Sequence, residues 1–168
     1  AQTALWHIAQ SLVRVMAPVL SFTAEEAWPI LNHGTSDDTI FIELQHVVPV
    51  PAHADALIIR WSRIRELRND VNKALEDARG ANQIGSALQA AVTVVAPEAD
   101  AQLLRSLGDE LRFVLITSSA QVVTGDHIAV TVDVAVGTKC ERCWHVTVDV
   151  GANTEHPTLC ARCISNLF

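Results

Sequence analysis

Four cysteines carry the most specific chemistry in this sequence. They form two pairs, Cys140-Glu-Arg-Cys143 and Cys160-Ala-Arg-Cys163, with 16 residues between the pairs, all inside the last 29 of 168 residues. Two residues between cysteines allow a tight turn that aims both sulfurs at one ion, and two such turns supply a tetrahedron. The separation falls in the window of about 15 to 20 residues expected of a four-cysteine zinc site. Disulfides within each pair would close very small loops and stabilise little. A thioredoxin-like redox motif needs one such pair at a strand-to-helix junction, not two. His145 and His156 are close enough in sequence to replace a cysteine, but four thiolates already complete the shell. Cys140, Cys143, Cys160 and Cys163 are therefore expected to hold one structural zinc ion, with no position left for a reactive water. Four thiolates and one dication add about two negative charges to the chain.

Other reactive constellations are missing. There is no Gly-x-Gly-x-x-Gly or phosphate-loop lysine pattern, no serine nucleophile elbow and no His-Glu-x-x-His. Glu25-Glu26 and Asp37-Asp38 are adjacent acid pairs, and sequence neighbours do not face each other across a substrate. His7, His33, His46, His53 and His127 are scattered singly. No catalytic residue is expected.

The elements that must position the cysteines can be read from periodicity. The chain is 49% hydrophobic, enough for one domain or two small ones, and carries a formal net charge of −7. So acidic a chain cannot hold nucleic acid as a general polycation, and any such contact needs a local basic patch. The apolar runs are far shorter than the roughly 20 residues of a membrane helix, and residues 1–10 lack the basic start of a signal peptide, so a cytoplasmic chain without membrane partners is expected. The chain starts at Ala1 inside a helical pattern, without an initiator methionine, which suggests a fragment of something longer.

Residues 1 to about 32 predict a helical hairpin. Leu5, Ile8, Leu12, Val15, Met16, Val19 and Leu20 recur at helical spacing, Pro18 ends or kinks the first helix, and Thr23 with Glu26 forms a capping box for a second that stops near Asn32-His33-Gly34. Thr35 to Ala54 read as an irregular connector. A long helix follows from about Asp55, as N-cap, to Arg79, with Gly80 as the stop and Leu57, Trp61, Ile64, Leu67, Val71, Leu75 and Ala78 on one face. It holds Arg60, Arg63, Arg65, Arg68, Lys73 and Arg79, six of the twelve basic residues, interleaved with acids. A solvated face laced with ion pairs competes there with an RNA-facing stripe.

Beyond Ser86 the text changes to β-formers. A strand is expected over 90–96, a helix over 97–107, a strand over 113–117, and a hairpin of 121–124 with 128–136 turning at Gly125-Asp126. The fold class is thus α+β: a helical bundle portion over 1–82, a small α/β unit over 83–137 and a four-cysteine zinc knuckle over 138–168.

Lys139-Cys-Glu-Arg-Cys-Trp-His145, followed by Cys160-Ala-Arg-Cys-Ile-Ser-Asn166, resembles the C-terminal zinc finger of bacterial isoleucyl-tRNA synthetases. Met16-Ala-Pro-Val-Leu-Ser-Phe-Thr-Ala-Glu-Glu-Ala-Trp28 is similar to the helical anticodon-binding region of the class I synthetases for branched aliphatic amino acids. Asp70-Val-Asn-Lys-Ala-Leu-Glu76, Ile84-Gly-Ser-Ala-Leu88 and Gly108-Asp-Glu-Leu-Arg-Phe-Val-Leu115 fit the later part of the isoleucine enzyme. The resemblance implies a monomeric, tRNA-recognising fragment whose partners are isoleucine tRNA and the remaining domains of the parent ligase. ATP would bind only in the missing catalytic domain, since the family's His-Ile-Gly-His and Lys-Met-Ser-Lys-Ser signatures are not in this sequence.

Proteins read single-stranded loops by stacking bases on aromatics or guanidinium planes and by placing cations on phosphates. The knuckle supplies Trp144 and His145 for stacking, Lys139, Arg142 and Arg162 as cations, and Asn166 as an amide; Arg65, Arg68, Lys73 and Arg79 on the long helix are weaker candidates. Trp144 could instead pack the knuckle against the α/β unit, and Arg142 and Arg162 could donate to nearby carbonyls. Two other classes stay open: oxidised-base DNA glycosylases, which end in a similar knuckle, and a structural or protein-interaction module. The alternating strand pattern before the finger argues against the glycosylases, which place a helix–two-turn–helix there, so no DNA partner is expected.

Overall fold

The computed structural model describes residues 2–32 and 39–167 and divides the chain into two compact units, Ala1–Ala54 and Asp55–Phe168. The first is helical: α1 (Gln2–Met16) and α2 (Ser21–Leu31) are followed by a single 3-10 turn at Ile40–Ile42. The helices form as the periodicity predicts, but a different face of α1 is buried. Leu5, Ile8, Leu12 and Val15 are exposed, whereas Gln10 and Ala17 are buried beside Val13. The physical reason is what packs there: Ala24 and Trp28 of α2 and Ile40 of the turn complete a small core on that side. A polar brace seals it. The Gln10 amide donates to Asn32 Oδ1 at 3.0 Å, and Arg14 donates to the Gln10 carbonyl, ion-pairs with Glu43 at 3.0 Å and lies over the Trp28 ring. The expected capping box does not form, because α2 begins three residues earlier, with Leu20 in the cap position and no side-chain cap. The connector expected to be irregular holds the 3-10 turn, and the Glu25 carboxylate accepts from the Thr39 hydroxyl and the Ile40 N–H. The expected helix stop at His33-Gly34 and the Asp37-Asp38 pair lie outside the described residues.

The second unit opens with α3 (Ala54–Gly80), which has Asp55 in its first turn rather than as its cap. Ile64, Leu67, Val71, Leu75 and Ala78 are buried at steps of three and four, whereas Leu57 and Trp61 are exposed. Gly80 still belongs to the helix, and the stop comes at Asn82, with φ +57.

The buried stripe of α3 packs on a three-stranded sheet of β1 (Ala90–Ala96), β2 (Ser119–Thr124) and β3 (Ala129–Val134), in the order β2-β1-β3. β2 runs parallel to β1 and is reached through α4 (Glu98–Arg105) and α5 (Leu111–Leu115), a crossover of the kind parallel strands need; β3 is antiparallel to β1. The hairpin expected at Gly125-Asp126 is therefore not there. β1 buries every second residue and half-buries the rest, so the most apolar strand takes the centre, and residues 125–128 carry the chain past its end to the opposite edge. Gly125 is required at that crossing, since a Cβ there would sit 2.4 Å from Val95 Cγ1.

The strand expected at 113–117 is also corrected. Residues Leu111 and Leu115 are both buried, a spacing of four that fits a helical turn and not a strand. α5 then ends with Ile116 at φ +58, and the Thr117 N–H bonds back to the Arg112 carbonyl at 2.9 Å. The chain closes with a two-stranded ribbon of β4 (Thr138–Lys139) and β5 (Val146–Thr147), and then α6 (Ala161–Ser165).

Candidate zinc knuckle and nucleic-acid interface

The first cysteine turn sits inside the ribbon. The Cys140 N–H donates to the His145 carbonyl and the Trp144 N–H to the Cys140 carbonyl, both at 2.9 Å, with Trp144 itself left-handed at φ +65. Gly137 admits the close approach of β4 to β5: its φ is +128, and a Cβ would lie 2.4 Å from the Thr147 carbonyl carbon. The second turn is the start of α6, where the Ala161 N–H donates to the Asp149 carboxylate at 2.7 Å. These turns bring all four sulfurs within 4.8 Å of one another, with Cys143 and Cys160 Sγ 3.7 Å apart. Zinc–sulfur bonds of about 2.3 Å arranged as a tetrahedron put sulfurs roughly 3.8 Å apart, so the cluster fits that ion. No disulfide joins them.

Their environment is uneven. Burial works against ionisation of Cys140, but backbone N–H groups of Cys143, Cys160 and Arg142 outweigh it and hold the thiol down to about 6. Burial pushes the Cys143 thiol up to about 12 and raises that of Cys160. A bound cation favours the thiolate form of all four sulfurs.

The sequence-predicted contact residues separate into two groups. Trp144 is 58% exposed and does not pack into the α/β unit, and Lys139 Nζ lies 5.3 Å from its ring centre. The Arg142 side chain is exposed and makes no hydrogen bond or ion pair among the described residues. His145 turns inward, meets Phe113 edge-on at 5.2 Å and points Nδ1 at the Cys143 carbonyl at 3.2 Å; burial, with Arg112 and Arg162 nearby, lowers its pKa. The Arg162 guanidinium stacks on Phe113 at 4.3 Å, and the Asn166 amide donates to the Arg162 carbonyl, finishing α6. On α3, Arg79 pairs with Glu76, Arg65 donates to Ser62, Lys73 is exposed, and Arg68 is half-buried with its Nε unpartnered.

Phe113, Ser118 and Asp149 were not legible as knuckle residues. Ser118 is buried, donates to the Leu88 carbonyl and accepts from the Val146 N–H, both at 2.6 Å, so it ties the knuckle to the sheet. No local pattern announces a contact between residues 28 positions apart.

Comparisons with known proteins agree with this architecture. Residues 1–94 match the family "Anticodon-binding domain of tRNA ligase", and residues 137–166 match "Zinc finger found in FPG and IleRS". The whole chain is 58% identical to the isoleucine–tRNA ligase of Burkholderia multivorans and 57% identical to those of Burkholderia mallei and Paraburkholderia xenovorans. It spans 18% of the length of each of these relatives. The finger alone occurs in both protein classes weighed above, and the match over residues 1–94 decides against the DNA glycosylase. No helix among the described residues is long and apolar enough to cross a membrane. The chain belongs to the family of anticodon-binding domains of tRNA ligases, here joined to a zinc finger of the kind found in FPG and IleRS.

Proposed function

We propose that this chain is the tRNA-recognising part of a cytoplasmic isoleucine–tRNA ligase, and that its knuckle contacts the anticodon end of isoleucine tRNA. The observation that carries this reading is the exposed trio beside the cysteine cluster: Trp144, Lys139 and Arg142 stand on a turn fixed by the ribbon, and none has a carboxylate partner among the described residues. An exposed indole beside cations suits stacking on an unpaired base next to its phosphate.

In this reading Cys140, Cys143, Cys160 and Cys163 hold a single zinc ion, which would fix the two turns and take no part in chemistry. His145 and Arg162 support the knuckle by packing on Phe113, and Asn166 does so by finishing α6. Arg65, Arg68, Lys73 and Arg79 are secondary contacts along α3. Activation of isoleucine with ATP and its transfer to tRNA belong to the rest of the parent ligase, as a monomer, and this chain alone supplies neither. The organisation into a helical region over 1–82, a junction unit over 83–137 and a finger over 138–168 is part of the same proposal.

The test is binding of the zinc-loaded chain to isoleucine tRNA, an unrelated tRNA and a DNA duplex carrying an oxidised base, at two salt concentrations. Preference for isoleucine tRNA with a steep salt dependence is expected. Equal binding to both tRNAs, or none, would assign the chain a structural role.

A further inference from the structure

Two residues of one short stretch, the end of α5 and the turn into β2, hold the knuckle against the α/β unit. Phe113 touches both cysteine turns. Its ring meets His145, just past Cys143, edge-on at 5.2 Å, and carries the guanidinium of Arg162, between Cys160 and Cys163, at 4.3 Å. Ser118 reaches the ribbon. Its hydroxyl is buried, gives its single proton to the Leu88 carbonyl just ahead of β1, and accepts from the Val146 N–H of β5, both at 2.6 Å. One side of this bond pair belongs to the sheet and the other to the knuckle.

The stretch that carries the two residues is itself fixed. The Ser118 N–H donates to the Ala90 carbonyl at 3.0 Å, so its backbone is anchored to β1. Before it, the Thr117 N–H returns to the Arg112 carbonyl at 2.9 Å, and Ile116 is left-handed at φ +58. A β-branched residue keeps that conformation only where its surroundings hold it there. Ser118 thus offers its oxygen from a rigid place.

From Val146 the connection runs on to the exposed face. β5 pairs with β4 so that Val146 stands opposite Lys139, and the turn between them is closed by the Cys140 and Trp144 N–H groups. Lys139, Arg142 and Trp144 therefore belong to one hydrogen-bonded ribbon and turn, and Ser118 bonds that ribbon to the sheet. Four sulfurs on one ion would fix the two cysteine turns relative to each other, but they make no bond to the sheet. That second rigidity has to come from Ser118 and Phe113.

We propose that Ser118, with Phe113, is a positioning residue for tRNA recognition: it sets the angle at which Trp144, Lys139 and Arg142 are presented to the RNA. The proposal rests on the tRNA-binding reading above and adds that two residues making no contact with the RNA control its affinity. A loosely mounted face has to be ordered when it binds, and that ordering weakens the complex.

The test compares the unaltered zinc-loaded chain with Ser118→Ala, with zinc content and an unfolding curve measured for each. Alanine adds no bulk and leaves the Val146 N–H and the Leu88 carbonyl without their shared partner. Zinc content should be unchanged, while affinity of the folded chain for isoleucine tRNA should fall about tenfold, the scale of one lost charge-assisted contact. Amide residual dipolar couplings of residues 138–167 should no longer fit the alignment frame of the sheet. A purely stabilising serine would move the unfolding curve and leave frame and affinity as they were, which overturns the proposal. A double-mutant cycle reads the route: Arg142→Gln should cost clearly less in Ser118→Ala than in the unaltered chain, and additive losses overturn it. Should Ser118→Ala not fold, Phe113→Leu keeps the apolar bulk, removes the ring under Arg162, and is judged by the same frame and affinity. Affinity unmoved by the variants overturns the positioning role alone. An unaltered chain that binds isoleucine tRNA no better than an unrelated tRNA overturns the tRNA reading and this role with it, whatever the couplings show.

Discussion

The cations of α3 and those of the knuckle are held in opposite ways. On α3, Arg63 forms a two-pronged contact with Asp100, at 2.9 and 2.6 Å, and also pairs with Glu66, while Arg79 pairs with Glu76. At the knuckle, Lys139 and Arg162 lie on aromatic rings and the Arg142 side chain makes no hydrogen bond or ion pair, and none of the three has a carboxylate partner among the described residues. A paired cation has much of its field cancelled, whereas a ring holds a guanidinium in place and leaves its charge available. In a chain of net charge −7, position counts for more than number: six basic residues on one helix are a weaker signal than three without carboxylate partners on the two cysteine turns.

The largest break in this comparison comes from the metal site. Cys160→Ser is expected to abolish zinc binding and unfold the residues from about 138 onward while α3 and the sheet survive, read by metal stoichiometry and amide-proton protection. Unchanged zinc content would sink the four-thiolate site. The converse cut is Leu75→Ala, which empties part of the core under the sheet and is expected to cost about 2–5 kcal/mol in chemical denaturation. The folded fraction should keep its zinc, because the cysteines are held by the ribbon and α6.

Smaller changes separate the two sets of cations. Arg142→Ala should weaken tRNA binding by roughly 1–3 kcal/mol with zinc intact; unchanged affinity would reassign this residue to structure. Arg63→Ala should leave tRNA affinity alone and lower stability by about 0.5–1 kcal/mol, the discounted worth of a part-exposed pair. It should also change the acid response. The Arg63 guanidinium holds the Asp100 carboxyl below its ordinary value, so the stability from this contact is present above the unfolded pKa of Asp100 and disappears as pH falls through the folded one. In Arg63→Ala that component of acid destabilisation should be missing from a pH series of unfolding curves.

Sequence periodicity revealed the elements better than their partners. The stripe from Ile64 to Ala78 and the alternation of β1 were legible because each has a single period and one apolar face. The 113–117 segment misled because its β-branched residues favour a strand locally, while burial of Leu111 and Leu115 together demands a helical turn. The hairpin misreading has a similar root: a turn at Gly125-Asp126 suits two paired strands, yet the central β1 takes a neighbour on each edge. In the site, the cysteine spacing was sufficient to bring four sulfurs together, since local turns do most of that work. The contacts of Phe113 with Arg162 and of Ser118 with Val146 link distant segments and leave no local trace.

The most direct test removes charge from each region in turn and compares the salt dependence of isoleucine-tRNA binding. Lys139→Gln with Arg142→Gln should flatten the slope by up to about 1.4 and weaken affinity at low salt, whereas Arg65→Gln with Lys73→Gln should change both far less. A slope that responds to the α3 pair and ignores the knuckle pair would contradict the account.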